Sequence, residues 1–363
     1  MKNNQKILYV MPTLKQDGAE VQILNLLKHI SNNEIEIFAF EKFKRTSSIY
    51  EDLMSLGLKV HISSSFVYFY KLVSKNNYKI IHSHLPKADF FVGLVSFFNS
   101  SFLHVISVHA KYGTRKGENK IKYFIFNIFW KSIINRSAGV IAISNSIESW
   151  LLNGMKVKNR NIKVIHYGIN LKIRNKNKIR NKNINTIGMA ARILPWKGFD
   201  KTLNVAEKLV QKEFNFKLLL AGSDDINYKK TLIKKTKDLK INKFVEFKES
   251  YQNIEDFFSE IDLFLFLSES EGFGLIVLEA IENDVPVVCS NISPLNEFVD
   301  NGNLTLVDRD NSVEIADKLI EIFNSDELYT KIQTDQKTKV ENAFVINDKA
   351  SEFEIFYNNL LNS

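Results

Sequence analysis

Short apolar runs alternate with amphipathic segments along the chain. In the first half, seven runs have the length and composition of buried strands, at residues 7–11, 35–40, 58–62, 80–83, 105–108, 140–143 and 164–166. Stretches with helical spacing of apolar residues lie between most of them. Strands and helices that alternate in this way are typical of a parallel sheet covered by helices on both faces.

A second series of the same kind follows. Its predicted strands are residues 187–190, 216–221, 245–248, 263–267, 285–289 and 304–307. Between the two series, residues 170–185 are basic, polar and without periodicity, which indicates a solvated linker rather than a nucleic-acid-binding patch. We therefore predict an α/β protein with two doubly wound domains, residues 1–169 and 186–345. Because ligands bind at the carboxyl ends of strands in such sheets, we expect the site in a cleft between the domains.

The bulk properties agree with this organisation. A chain of 363 residues is long for a single core, and its 45% hydrophobic and 25% charged residues are typical of soluble globular proteins. The single cysteine, Cys289, excludes an internal disulfide and suits a reducing compartment. We expect a cytoplasmic protein, since no apolar run approaches a membrane span and the N-terminus does not resemble a secretory signal. The net charge of +8 indicates anionic partners.

The segment FLFLSESEGFGLIVLEA, residues 264–280, carries the strongest functional signal. It predicts a buried strand, a glycine loop and the first turns of an apolar helix. The first N–H groups of a helix have no partner within it, and the helix dipole favours negative charge there. We therefore expect the backbone of Gly272, Phe273, Gly274 and Leu275 to bind an anionic group.

Two carboxylates, Glu271 and Glu279, bracket this loop and helix. At the helical rise, their spacing separates them by roughly 10 Å along the axis. The nucleophile and acid of a retaining hydrolase lie only about 5 Å apart. We therefore expect the two side chains to hold different parts of one elongated ligand.

Glu271-x7-Glu279, within SESEGFGLIVLEAI, resembles the signature of the retaining nucleotide-sugar glycosyltransferases of family 4. The resemblance extends over essentially the whole chain and is strongest between residues 187 and 308. It implies the GT-B fold, in which two Rossmann-like domains face each other across a cleft, and a C-terminal helix, about residues 346–363, that crosses back to the first domain. It also implies that Glu271 contacts the donor sugar and that Glu279 holds the ribose hydroxyls.

Two cations follow the first strand of the second half. They are Arg192 and Lys197, the second of which precedes Gly198, and a strand end of this kind is suited to a diphosphate. Each charge-assisted hydrogen bond contributes about 1.5–3 kcal/mol. Such cations also stabilise the charge that develops on a departing nucleoside diphosphate. The family has an Arg and a Lys at these positions, so the resemblance implies the same role here.

Further candidates are assigned mainly by the resemblance. Gly18 follows the first strand and lets backbone amides approach a ligand, although Asp17 stands where the family often has another glycine. His109 ends a strand and by itself suggests a packing histidine, whereas the resemblance implies contact with the donor sugar. His84 is a candidate on the acceptor side, and Tyr251 is a candidate to stack on the base.

The tripeptide Asp308-Arg309-Asp310 has the pattern of metal-dependent glycosyltransferases. It follows the last predicted strand and reads as a turn and helix cap. The fold that uses this motif needs it early in a single nucleotide-binding domain. No His/Cys cluster suggests another metal site. We therefore expect neither a metal nor any other cofactor.

The segment 120–134 is aromatic and apolar, with lysines on both sides. Together with residues 66–71 it resembles an interfacial surface that contacts an anionic membrane from the inner, cytoplasmic face. The alternative is a helix buried in the first domain. A lipid-linked acceptor would make such a surface useful.

The sequence therefore predicts a retaining, metal-independent glycosyltransferase. Its donor would be a UDP- or GDP-linked sugar, and its acceptor a glycan or a polyprenyl-diphosphate-linked glycan of a bacterial surface polysaccharide, with no nucleic-acid partner. One alternative is a GT-B nucleotide-sugar epimerase, and another is a non-catalytic membrane- or polyanion-binding protein. A dinucleotide oxidoreductase is disfavoured, because no G-x-G-x-x-G follows the first strand.

Overall fold

The computed structural model describes residues 5–15, 18–31, 33–42, 49–113, 119–170, 184–299 and 305–363. The chain divides into two compact units: unit 1 comprises Met1–Gly168 and Phe344–Ser363, and unit 2 comprises Ile169–Ala343. Most of the predicted linker, residues 171–183, and Asp17 lie outside the described residues.

Unit 1 contains a seven-stranded parallel sheet with the order β3-β2-β1-β4-β5-β6-β7. Its strands are β1 (Gln5–Met11), β2 (Asn33–Ala39), β3 (Lys59–Ile62), β4 (Ile80–His84), β5 (Leu103–Val108), β6 (Gly139–Ala142) and β7 (Ile162–Val164). Its helices up to this point of the chain are α1 (Gly18–Leu27), α2 (Tyr50–Ser55), α3 (Phe66–Lys75), α4 (Pro86–Phe98), α5 (Lys120–Arg136) and α6 (Asn145–Ser149), the last followed by a π-helical turn, Trp150–Gly154.

The central strand β1 explains the near-continuous apolar runs of the sequence. Its side chains alternate between two hydrophobic clusters, with Ile7 and Tyr9 in one and Leu8 and Val10 in the other. Successive side chains of a strand point to opposite faces of the sheet, so both faces of unit 1 are covered. A strand buried on both faces has no position where a polar residue is favoured.

Unit 2 contains a six-stranded parallel sheet with the order β10-β9-β8-β11-β12-β13. Its strands are β8 (Asn185–Ala190), β9 (Phe216–Ala221), β10 (Val245–Lys248), β11 (Leu263–Phe266), β12 (Val287–Ser290) and β13 (Leu306–Val307). Its helices are α7 (Phe199–Gln211), α8 (Tyr228–Asp238), α9 (Ile254–Glu260), α10 (Leu275–Glu282), α11 (Leu295–Phe298), α12 (Ser312–Asn324) and α13 (Asp326–Ala343), with a 3₁₀ turn at Pro195–Lys197. Cys289 is buried in β12.

Both sheets have a point at which the strand order reverses. In unit 1 it lies between β1 and β4, and in unit 2 it lies between β8 and β11. Ligands of open α/β sheets bind outside the carboxyl ends of the strands at such a switch point. The loops after these four strands are therefore the expected binding loops. They carry Lys197 and Glu271, and they adjoin His84 at the end of β4 and Gly18 at the start of α1.

The last helix, α14 (Ile346–Asn362), belongs to unit 1. The Tyr357 hydroxyl lies 2.6 Å from the hydroxyl of Tyr9 and 2.6 Å from Nδ1 of His82. Phe356 packs against Gly139 so closely that an added Cβ there would lie 2.7 Å from the Phe356 ring. The end of the chain thus completes the core of the unit in which the chain begins.

Among the described residues, no helix has both the length and the apolar content that crossing a bilayer would require.

Candidate active site

In unit 2, the loop after β8 is fixed against the loop after β11. Gly198 has φ +95°, and a Cβ added to it would lie 2.1 Å from the carbonyl oxygen of Leu267. Only glycine allows the two chains to approach so closely in this conformation. The Glu269 amide also donates a hydrogen bond of 2.8 Å to the carbonyl oxygen of Trp196. The two loops therefore form one structure at the carboxyl ends of β8 and β11.

This packing brings Lys197 onto Glu271. The ammonium nitrogen Nζ lies 2.7 Å from Oε1 and 2.8 Å from Oε2, although the two residues are 74 positions apart. The side chain of Lys197 is 17% exposed and that of Glu271 is 9% exposed. A charged pair this far removed from solvent is weakly screened by salt. The structure thus joins two of the residues that the sequence singled out.

The glycine loop leads from Glu271 into α10, and its conformation is fixed at Phe273 and at Gly274. Phe273 is buried and packs on Phe298 with ring centroids 4.6 Å apart, which anchors the loop. Gly274 precedes the helix with φ +92°, and a Cβ added there would lie 2.4 Å from Leu295. The loop therefore has no room for a side chain at Gly274, and the first N–H groups of α10 follow directly at Leu275.

Glu279 lies one turn before the end of α10 and is half-buried. Its carboxylate has no hydrogen-bond or ion-pair partner among the residues that the structure describes. Burial, and secondarily the nearby charge of Glu282, raises the pKa of Glu279 to about 7. A half-buried carboxylate without a protein partner is costly to a folded chain and is characteristic of functional sites.

Arg192 lies at the same end of the sheet, shortly after the carboxyl end of β8. Its side chain is exposed and makes no ion pair within the described part of the chain. The backbone around it is held by the next loop, since the Ile193 amide donates to the carbonyl oxygen of Ser223 at 2.8 Å. The guanidinium is therefore accessible, whereas Lys197 is engaged by Glu271.

Tyr251 follows the edge strand β10, with β9 between that strand and β8. Two strand spacings separate β10 from β8 by about 10 Å. The Tyr251 hydroxyl donates to Glu260 at 2.8 Å, and its ring lies edge-on to Phe257. The structure thus places Tyr251 at the same end of the sheet as Lys197 but not in contact with it.

The Asp-x-Asp tripeptide forms ion pairs instead of an open acidic pair. Asp310 lies 2.5 Å from the Lys201 ammonium, and Arg309 lies 3.2 Å from Glu269. Asp308 accepts a hydrogen bond from the amide of Asp310. Across the described ranges, no group of three or more His, Cys, Asp or Glu side chains is placed to hold a metal ion.

Gly18 and His109 belong to unit 1. A Cβ added at Gly18, the first residue of α1, would meet no described atom within 4 Å. The His109 ring is buried; its Nδ1 is hydrogen-bonded to the Tyr167 hydroxyl, and its Nε2 lies 3.2 Å from Nδ1 of His84. Burial lowers the pKa of His109 to about 3, and that of His84 also falls. Both histidines are therefore neutral near pH 7, and both ring nitrogens of His109 have partners within unit 1.

Residues 16–173 match the family model described as "Glycosyltransferase Family 4", and residues 170–339 match the model described as "Glycosyl transferases group 1". The chain belongs to glycosyltransferase family 4. It is 26% identical over 356 residues to the capsular polysaccharide biosynthesis glycosyltransferase CapM of Staphylococcus aureus, covering 92% of this chain and 88% of CapM. It is 27% identical to the O-antigen biosynthesis glycosyltransferase WclY of Escherichia coli, covering 98% of both chains.

Solved structures show that this glycosyltransferase has the GT-B fold. A glycosyltransferase from Rickettsia africae superposes with a TM-score of 0.81 at 21% identity, covering 99% of both chains. Alr3699/HepE from Anabaena, solved in complex with UDP and glucose, superposes with a TM-score of 0.81 at 17% identity, covering 97% of this chain and 98% of that one.

Two residues of this glycosyltransferase that shape the site were missed by sequence reasoning. Arg309, within the tripeptide set aside above, pairs with Glu269 and so braces the loop that carries Glu271. Tyr167 orients the His109 ring. Their only sequence signals are a cation after the last strand and a tyrosine before Gly168, and neither pattern is specific.

Proposed function

We propose that this glycosyltransferase moves a sugar, with retention of anomeric configuration, from a UDP- or GDP-linked donor to a glycan or polyprenyl-diphosphate-linked acceptor. The contact between Lys197 and Glu271 beside the N-terminus of α10 carries the proposal. Lys197 and the first N–H groups of α10 are suited to a diphosphate, and the Glu271 carboxylate is suited to sugar hydroxyls. All of them lie at the carboxyl ends of β8 and β11. The names of the capsular and O-antigen relatives support an acceptor in surface polysaccharide synthesis.

In the proposed complex, the diphosphate contacts Lys197, Arg192 and the backbone amides of residues 272–275. Glu279 accepts hydrogen bonds from the ribose hydroxyls, and its carboxylate thereby gains the partners that the described protein groups do not provide. Tyr251 as a partner of the base and His109 as a partner of the sugar stay predictions from the family resemblance. The UDP complexes of the related HepE structures support a nucleotide of this type.

The proposed transfer breaks the bond between the sugar C1 and the phosphate oxygen. The acceptor oxygen forms its bond to C1 on the same face, and its proton passes to the departing phosphate. Negative charge therefore grows on the diphosphate, where Lys197, Arg192 and the helix N-terminus stabilise it most strongly in the transition state. These groups supply the positive charge, so the proposal includes no metal or other cofactor.

A panel of UDP, GDP, ADP and their sugars tests the donor. We expect one series to raise the melting temperature, since a ligand at 100 times its Kd adds about 2.7 kcal/mol to stability. Product analysis with an acceptor should show a retained anomeric configuration. Conversion of the donor to an isomer without any acceptor would instead identify an epimerase, and stabilisation by polyanions alone a non-catalytic binder.

We also propose that unit 1 contacts an anionic membrane through helices α4 and α5. On α5, Ile121, Phe124, Ile125, Ile128 and Phe129 are 51 to 75% exposed. Their spacing of three and four residues places them along one face of the helix. Helix α5 is therefore not simply buried, and it presents an apolar stripe of a kind that soluble monomers rarely expose.

Helix α4 extends this apolar area. Leu94, Phe97 and Phe98 are exposed, and the Arg136 guanidinium of α5 lies 3.8 Å from the centre of the Phe97 ring. We call the exposed apolar residues of the two helices the α4–α5 surface. The cations Lys122, Lys131 and Arg136 on α5 complement anionic headgroups, which favours a bilayer over an uncharged partner.

Vesicle flotation tests this contact. A Phe124→Ser/Phe129→Ser variant should bind anionic vesicles at least 10-fold more weakly than the parent, since each buried phenyl ring is worth about 1.5–3 kcal/mol. Ile355→Ser, at an exposed apolar position of α14, is the control and should bind normally. Unchanged binding of the double variant would contradict the proposal, and a concentration-dependent dimer that the variant abolishes would assign the surface to a second copy.

A further inference from the structure

The ion pair between Lys197 and Glu271 has a consequence for ligand selection. We propose that Glu271 is an internal competitor for the phosphates of the ligand, so that the site binds a nucleoside diphosphate sugar in preference to a free nucleoside diphosphate. This inference rests on the proposed function. It assigns Glu271 a role in specificity and in the release of the product nucleotide.

The competition follows from the donor inventory of the ammonium. Lys197 has three N–H donors, and the two oxygens of Glu271 lie 2.7 and 2.8 Å from its nitrogen. A phosphate oxygen that contacts Lys197 must share or displace these hydrogen bonds. It then lies beside a largely buried carboxylate of the same charge, where screening is weak. Binding of any diphosphate to Lys197 thus carries a cost that Glu271 imposes.

Glu271 cannot relieve this cost by moving its backbone far away. Its loop is held on one side by the hydrogen bond from the Glu269 amide to Trp196 and on the other by the buried ring of Phe273. The conformation of Gly274, confined by Leu295, fixes the turn into α10. The backbone of Glu271 therefore stays near Lys197, where the ammonium is the hydrogen-bond partner of its carboxylate, and a ligand that takes Lys197 must offer the carboxylate another donor.

A sugar on the diphosphate can supply that relief. Its hydroxyl groups are hydrogen-bond donors, and a carboxylate is an acceptor with about four lone-pair positions. A nucleotide sugar can therefore satisfy Glu271 while its phosphates take Lys197. A free nucleoside diphosphate has no hydroxyl at that end, so it keeps the repulsion without the compensation. After transfer, the nucleoside diphosphate would be the weaker ligand, which favours its release.

The neighbouring Glu269 offers a matched control. It lies in the same loop and carries the same charge, but it pairs with Arg309 at 3.2 Å and its side chain is 42% exposed. Exchange of Glu269 for Gln changes the charge of the loop without removing a partner of Lys197, and the carbonyl oxygen of Gln can still accept a hydrogen bond from Arg309. Long-range electrostatics would affect both variants alike, whereas direct competition affects only the Glu271 variant.

The experiment compares the parent, Glu271→Gln and Glu269→Gln by calorimetric titration with UDP, GDP and their sugars. In the parent, we expect the nucleoside diphosphate to bind at least 10-fold more weakly than its sugar derivative. In Glu271→Gln, the nucleoside diphosphate should bind at least 10-fold more tightly than to the parent and should inhibit turnover more strongly. Glu269→Gln should change both affinities by less than threefold.

Failure of the inference about Glu271 and failure of the proposed function give different results. Nucleoside diphosphate binding to Glu271→Gln that is equal to or weaker than binding to the parent overturns this inference and leaves the proposed function intact. A parent that binds the two ligands equally also overturns it, without any variant being needed. If the parent binds neither nucleoside diphosphates nor nucleotide sugars, the proposed function itself is wrong, and this inference falls with it.

Discussion

At the scale of the residue, Glu279 shows a conflict between stability and binding. Its half-buried carboxylate has a pKa of about 7 because burial disfavours the charged form. The folded chain therefore holds this proton more tightly than the unfolded chain does. The contribution of protonated Glu279 to the free energy of unfolding is fully present below pH about 4.5 and is lost as the pH rises through about 7. An ionised Glu279 thus weakens the fold under the conditions in which a carboxylate is the better acceptor for hydroxyl groups.

We predict opposite effects of Glu279→Gln on stability and on binding. At pH 8, the variant should be more stable by about 1–3 kcal/mol, because a neutral side chain avoids the cost of burying a charge. At pH 4.5, its melting temperature should equal that of the parent. At pH 8, Glu279→Gln should bind the nucleotide roughly 10-fold more weakly than the parent does. The nucleotide affinity of the parent should decline below pH 7, as Glu279 is protonated, and the variant should not show this decline.

Differential scanning calorimetry with and without nucleotide measures both effects. Glu321→Gln, at an exposed position of α12, is the control and should change neither quantity. Equal melting temperatures of the Glu279→Gln variant and the parent at pH 8 would contradict the assigned cause of the raised pKa.

At the scale of the element, one buried carboxylate fixes which face of α5 points outward. Asp89 on α4 accepts hydrogen bonds from the Ser83 hydroxyl at 2.6 Å and from the Trp130 indole at 2.9 Å. Trp130 lies on the buried face of α5, opposite the apolar stripe. Because the indole N–H must find an acceptor when buried, this bond holds the rotation of the helix about its axis.

We predict that Asp89→Ala lowers the stability of the protein by about 2–4 kcal/mol. The change leaves the Trp130 N–H without its acceptor and opens a small cavity. Asp89→Asn keeps a carbonyl acceptor and should cost less than half as much. Urea denaturation followed by tryptophan fluorescence measures the difference, and equal losses in the two variants would show that the hydrogen bond to Trp130 does not matter.

At the scale of the whole molecule, unit 1 is assembled from both ends of the chain. The buried side chains that helix α14 contributes to it include Phe353, Phe356, Tyr357 and Leu360. Each is worth about 1.5–3 kcal/mol when fully buried. Their sum is comparable with the whole stability of a typical domain, about 5–15 kcal/mol. Unit 1 is therefore not expected to remain folded without the last helix.

We predict that deletion of residues 344–363 abolishes the cooperative melting of unit 1. The control deletes only the exposed residues 362–363 and should melt like the parent. Hydrogen exchange, followed for peptides of β1 and β4, reports on unit 1 specifically. Slow exchange of these strands in the truncated protein would contradict the prediction.

Much of the fold was predictable because strand signals are local. Strands buried on both faces need uninterrupted apolar runs, so two series of such runs indicated two doubly wound domains, and the GT-B fold is confirmed. The loop between Glu271 and Leu275 was recognisable for the same reason, since a strand end, two glycines and a helix start are adjacent in the chain. The roles of its residues stay predictions.

The sequence by itself determined the elements, their α/β class and the types of side chain at each strand end, because these depend on neighbours along the chain. Only the tertiary structure decided which of those side chains meet. Lys197 lies on Glu271 because β8 and β11, which are far apart in the chain, are neighbours in the sheet. His109 lies between Tyr167 and His84 because the residues at the ends of β4 and β5 and after β7 pack at the same end of the sheet of unit 1. The outward face of α5 was likewise settled by a bond between two helices. Contacts between residues distant in sequence arise from packing, and no local pattern encodes them.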